Sequence, residues 1–122
     1  MMSSTRRQSI RAWQAEVYKV SADHGFHDEE IKNGVDVPAK LCLIHSEISE
    51  ALEENRDPVA REKGHYYVSP TGKPEGFGIE LADAAIRIMD LAESMGIDLE
   101  NMIEIKSGYN RTRPYKHGKV YG

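Results

Sequence analysis

The sequence predicts an all-α fold, a four- to five-helix bundle, and three observations carry that expectation. Apolar residues recur at three- and four-residue intervals in four separate stretches. Each stretch is bounded by a capping residue, a glycine or a proline. Between the second and third stretches lies a Gly/Pro-rich insertion, too broken for a helix and too long for an ordinary turn. A chain of 122 residues is expected to form one domain with a modest core.

The first helix is expected over about residues 5–24, with Ile10, Trp13, Val17 and Val20 on one face. Arg7, Arg11, Gln14 and Lys19 fall elsewhere on the wheel, and Gly25 is the stop. The second helix is expected over 38–56. Asp36 is its cap and Pro38 is tolerated in its first turn. Leu41, Ile44, Ile48, Ala51 and Leu52 form its apolar face, and Pro58 ends it. Residues 57–76 read as a loop or short hairpin, with Tyr66-Tyr67-Val68 as one arm. A third helix over 77–95 is apolar on most of its circumference, the pattern of a core helix, and Gly96 follows it. Asp98 caps a fourth helix over 98–113, with Leu99, Met102 and Ile105 expected inward and Pro114 beyond it. A polar tail, 115–122, completes the chain.

Composition narrows the function. A net charge of −4 gives no electrostatic footprint for nucleic acid. No apolar run approaches the ~18 residues of a membrane span. The start, Met1 to Arg7, lacks the apolar segment of a secretory signal. Cys42 is the single cysteine and is expected as a buried, inert thiol. With no disulfide possible within the chain, a cytoplasmic location is expected.

The strongest chemical signal is a pair of acidic motifs, Glu47-x-x-Glu50 and Glu80-x-x-Asp83. Each sits on a predicted helix, so each sets two carboxylates about one turn apart on one face. Glu54 shares the arc of Glu47 and Glu50, with Lys40 beside Glu47; Arg87 shares the arc of Glu80 and Asp83. A solvated acidic stripe is the plain alternative, with Arg87 pairing Asp83 at the surface. If the two helices face each other, carboxylates about 6 Å apart repel by about 3 kcal/mol at an effective dielectric of 20. Such a cluster needs a cation or raised pKa values. Oxygen ligands without a histidine or cysteine cluster favour Mg²⁺, with Mn²⁺ as substitute, over zinc. His24-x-x-His27 straddles Gly25 and makes a poor zinc pair.

A carboxylate-held cation is commonly completed by substrate phosphates. Lys106, Asn110 and Arg113 form one stripe on the fourth helix, and Arg111, Lys116, His117 and Lys119 add positive charge or donors. Trp13, His24, Phe26 and Tyr66 are the candidates for contact with a base, although core packing suits Trp13 better. Cys42 and Ser46 lack the partners of a nucleophile.

Three ordered segments carry a family resemblance: Leu-Ile-His-Ser-Glu-Ile-Ser-Glu-Ala-Leu-Glu (43–53), Lys-Pro-Glu-Gly-Phe-Gly-Ile-Glu-Leu-Ala-Asp (73–83) continuing to Asp90, and Lys-Ser-Gly-Tyr-Asn-Arg-Thr-Arg-Pro-Tyr-Lys-His-Gly-Lys (106–119). Over about residues 36–119 the chain resembles the MazG-like nucleotide pyrophosphohydrolases of the all-α NTP pyrophosphatase superfamily. The resemblance implies hydrolysis of a nucleoside triphosphate between the α- and β-phosphates with Mg²⁺. It implies Glu47, Glu50, Glu80 and Asp83 as metal ligands, with Glu47 or Glu50 orienting or deprotonating the attacking water. Lys106 and Asn110 match the family's Lys-x-x-x-Asn phosphate element, with Arg113 nearby. A homodimer or homotetramer is implied as well. The chain departs from the family pattern at Ser46, where a first glutamate is expected, and Glu54 is the candidate substitute. A phosphoribosyl-ATP pyrophosphohydrolase, or a non-catalytic helical oligomerisation or regulatory module, are the other expectations.

Overall fold

The computed structural model describes residues 7–118. Ser9 opens the first helix, its hydroxyl accepting from the Ala12 amide at 3.0 Å, and α1 (Ile10–Asp23) follows. Residues 5 and 6 of the expected helix lie outside the described residues, as do 119–122 of the expected tail. Gly25 turns the chain with φ +84°. A short helix not expected from periodicity comes next, α2 (Asp28–Asn33), with Asp28, Glu29 and Glu30 in its first turn.

Asp36 accepts from the Ala39 amide at 3.1 Å and starts α3 (Val37–Arg56). Asp57 closes α3 and at once caps α4 (Pro58–Glu62), accepting from the Val59 amide at 2.9 Å, so the start of the expected 57–76 loop is a sixth helix among the described residues, with Pro58 in its first turn. The insertion then forms a hairpin: β1 (Tyr67–Val68) pairs antiparallel with β2 (Pro74–Glu75), with Tyr67 opposite Glu75. Gly76 leads into α5 (Phe77–Ser94) with φ +121°. A Cβ there would lie 2.5 Å from the His65 carbonyl oxygen, so this position requires glycine. The same carbonyl accepts from the Ile79 amide at 3.3 Å, which ties the insertion to the start of α5. Asp98 caps α6 (Leu99–Arg111) by accepting from the Asn101 amide at 3.2 Å, and a 3₁₀ turn, Tyr115–Gly118, ends the described chain.

The architecture is all-α with a two-stranded accessory sheet. Helix α5 packs between α3 and α1, and α6 lies along α1. No helix among the described residues is long and apolar enough to cross a membrane.

The core differs from the periodicity reading. Among the described residues the buried apolar side chains are Val17, Ile44, Ala51, Ala84 and Ala92, mostly small. Gln14, expected off the apolar face, is the most buried side chain at 1% exposure. Its amide nitrogen donates to Glu93 (2.9 Å) and to the Ile97 carbonyl (2.6 Å), and its oxygen accepts from the Leu99 amide (3.2 Å). These bonds dock α1 on the α5–α6 turn, and all of Gln14's polar atoms are used. Met102 and Ile105, expected inward, are exposed, and α6 has no buried residue. Leu81, Ile86 and Ile88 of α5 are exposed too, so α5 is not enclosed as a core helix. Cys42, expected buried, is exposed. One chain has too few partners to cover three amphipathic helices on all of these faces.

Candidate metal centre

The antiparallel run of α3 beside α5 brings the two acidic motifs together. One ligand oxygen each from Glu47, Glu80 and Asp83 lies within 4.8 Å of the others, and all three residues are partly buried. Glu80 and Asp83 share a face of α5 one turn apart, and Glu47 faces them from α3.

The electrostatics follow from this crowding. Burial pushes the Glu80 carboxyl up to about 7, and repulsion from Glu50, Asp83 and Glu47 adds to it. Glu80 Oε2 is buried and has no hydrogen-bond partner. Burial and Glu47 also raise Asp83, while Arg87 and Lys73 oppose that rise. Arg87 Nε donates to Glu47 Oε1 at 2.9 Å, across the helix pair, and not to Asp83 as the solvated-stripe alternative has it.

The donor set is all oxygen and compact, and it contains an orphaned buried oxygen. That combination fits a hard divalent cation such as Mg²⁺ or Mn²⁺. Glu50 stands outside the three-residue group, next to Glu80, where both line a cavity of about 540 Å³. Glu54 lines the same cavity, and its carboxylate accepts from the Tyr67 hydroxyl at 3.0 and 3.2 Å. That bond commits Glu54 to the hairpin. Ser46, the departure from the acidic pattern, also lines this cavity.

A second cavity of about 830 Å³ borders two of these carboxylates. Glu47 and Asp83 stand at its edge with Arg87 and Lys40, and Val20, Phe26, Leu43 and Ile86 give it apolar walls. His24 and Phe26, two of the base-contact candidates, line it, whereas Trp13 and Tyr66 do not. Lys40 Nζ lies 3.3 Å from Glu30 Oε1. His24 Nδ1 pairs with the Val20 carbonyl while His27 turns inward, so the two histidines do not converge as a zinc pair.

Neither cavity takes a lining residue from α6. Lys106 and Arg113 stand over the Tyr109 ring, 4.9 and 5.6 Å from its centroid. Within one chain, then, the structure does not bring Lys106, Asn110 and Arg113 to the acidic cluster. Residues that sequence reasoning did not single out include Lys73, which acts on Asp83 through space, and Tyr67, which holds Glu54. Neither carries a local signal, because each reaches the site through the hairpin's tertiary placement. Comparisons with protein-family models, with curated proteins and with solved structures find no match to this chain.

Proposed function

We propose that this protein is a Mg²⁺-dependent nucleoside triphosphate pyrophosphohydrolase that cleaves the α–β phosphoanhydride to a nucleoside monophosphate and pyrophosphate, in the manner of a nucleotide-pool enzyme of the cytoplasm. The observation that carries this reading is the meeting of Glu47, Glu80 and Asp83, with a partnerless buried oxygen on Glu80, beside a nucleotide-sized cavity. The three ordered motifs shared with the MazG-like enzymes support it from the sequence.

In this reading Glu47, Glu80 and Asp83 hold the cation, with Glu50 completing the set from the neighbouring cavity. Bound Mg²⁺ supplies neutralisation of the triphosphate and a more acidic attacking water. As a member of that set, facing the neighbouring cavity, Glu50 would orient the attacking water and accept its proton through the carboxylate oxygen left free of the cation. Arg87 and Lys40 meet phosphate oxygens from the larger cavity, where they are the cationic lining residues. The apolar walls around Val20, Phe26 and Leu43 seat the nucleoside.

Assembly belongs to the same proposal. Lys106, Asn110 and Arg113 reach the phosphates from a second copy of the chain in a homodimer or homotetramer, which also covers the exposed apolar residues of α3, α5 and α6. The absence of any buried residue on α6 favours this arrangement.

The test is a panel of the eight canonical nucleoside triphosphates with Mg²⁺, read by ³¹P NMR. Pyrophosphate and monophosphate as first products support the proposal. Orthophosphate as first product contradicts it. With phosphoribosyl-ATP added to the panel, its preferential hydrolysis would favour a phosphoribosyl-ATP pyrophosphohydrolase, and hydrolysis of none of these compounds would favour a non-catalytic helical module.

A further inference from the structure

The turn between α1 and α2 has little apolar anchorage. None of the residues of α2 is buried, Ile31 is 85% exposed, and Phe26 is 72% exposed. His27, in the same turn, is nevertheless only 3% exposed. Its Nδ1 lies 2.5 Å from Glu30 Oε2, and its Nε2 lies 2.8 Å from Asp90 Oδ1 on α5. Its ring stacks on Tyr18 of α1, with centroids 4.3 Å apart and planes at 24°. Glu30 also accepts from the Ser94 hydroxyl at 3.4 Å and pairs with Lys40 of α3 at 3.3 Å. One imidazole thus ties the turn directly to α1 and α5, and through Glu30 to α3.

The turn is also a wall. His24 and Phe26 line the 830 Å³ cavity, and two members of the His27 network, Lys40 and Asp90, line it as well. An element held by a polar network with little apolar burial lies at the low-stability end of a fold, and it opens when that network is cut. A ligand site tolerates displacements of only about 0.5 Å in the elements that shape it.

We propose that His27 is a positioning residue: it pins the His24–Phe26 turn against α5 and so sets the width of the cavity that takes the nucleoside. The imidazole suits this task because it offers a nitrogen to each of two carboxylates at opposite edges of one rigid ring. Glutamine or asparagine, with a single amide nitrogen, reaches one of them and breaks the bridge between α2 and α5. The proposal rests on the cavity being the substrate's seat, and the pin itself can be read without turnover.

Protein labelled with 4-fluorophenylalanine carries two fluorinated residues, Phe26 and Phe77, and gives one ¹⁹F resonance for each. In His27→Gln the Phe26 resonance should move and the Phe77 resonance should hold. Amide exchange over residues 24–33 should accelerate by about tenfold or more, with α3 and α5 unaffected. For the fastest of the eight canonical nucleoside triphosphates, KM should rise about fivefold while kcat stays within about twofold, a split that general destabilisation does not produce. Asp90→Ala should reproduce the ¹⁹F and exchange changes, which keeps the test alive if His27→Gln fails to fold. Asp90→Asn keeps an acceptor for Nε2 and should leave both spectral readouts as in the wild type. An unmoved Phe26 resonance with unchanged exchange in His27→Gln and Asp90→Ala overturns the pin. A released turn with unchanged KM overturns its positioning role. If the wild type hydrolyses no nucleoside triphosphate, the catalytic reading and the nucleoside-positioning role fall together, while the ¹⁹F data still report whether the pin exists.

Discussion

Arg87 on α5 donates from Nε to Glu47 Oε1 on α3 at 2.9 Å, so a guanidinium sits where a cation-seeking carboxylate faces the cluster. The Arg87 side chain is 44% exposed, and as a pair the contact contributes little, on the order of 0–1 kcal/mol. Its larger effect is on charge, because a divalent ion must share Glu47 with it. Arg87→Gln should therefore tighten Mn²⁺ binding about two- to fivefold while raising KM for the triphosphate, since Arg87 also lines the larger cavity. Calorimetric titration with Mn²⁺ and steady-state kinetics check the two opposite signs. Weaker Mn²⁺ binding in the variant contradicts the competition.

The raised Glu80 carboxyl sets a pH dependence. In the unfolded chain this group loses its proton near the ordinary 4.5, and in the folded chain it keeps the proton until about 7. Between those values the folded state binds more protons, so the stability of metal-free protein falls as pH rises from about 4.5 through about 7 and then levels. Glu80→Gln should flatten this slope and make the metal-free protein more stable at pH 8. Ligation needs the ionised carboxylate, so Mn²⁺ affinity should rise over the same interval by up to about tenfold per pH unit. Thermal denaturation across pH, with and without Mn²⁺, reads both trends.

Gly76 is the hinge of the insertion. Alanine there meets a backbone oxygen at 2.5 Å in a conformation with φ +121°, and neither can be relieved by a side-chain rotation. Gly76→Ala should lower stability by at least about 2 kcal/mol in urea unfolding. Because the hairpin carries Tyr67, it should also weaken the hold on Glu54.

The exposed apolar face of α6 gives a prediction about assembly. Ile105 is 61% exposed, and a glutamate there costs little in an isolated chain. If α6 meets a second copy, Ile105→Glu should shift light-scattering mass toward monomer and reduce turnover while leaving far-UV circular dichroism unchanged. A wild type that is already monomeric contradicts the shared site.

What the sequence made legible has a physical pattern. The starts of α3 and α6 were readable because Asp36 and Asp98 cap through local bonds to residues three positions on. The acidic motifs were readable because two side chains one turn apart on a helix share a face whatever the helix packs against. Gln14 was not readable: polarity placed it outward, and its burial depends on Glu93, Ile97 and Leu99, far along the chain. The same holds for His27, whose partner Asp90 lies on another helix. Helix α2 is too short to show a period. Apolar spacing places Met102, Ile105 and Cys42 inward, and the structure exposes all three, because such spacing finds an apolar face and leaves open what covers it.

The proposed chemistry depends on Glu47, Glu80 and Asp83 holding a divalent ion, and Mn²⁺ titration followed by electron paramagnetic resonance addresses that directly. At pH 8 the wild type should remove at least one free ion per chain, and Glu47→Gln, Glu80→Gln and Asp83→Asn should each weaken that binding by about tenfold or more. A wild type that leaves the free-ion signal undiminished, or three variants that bind as the wild type does, would contradict the proposal.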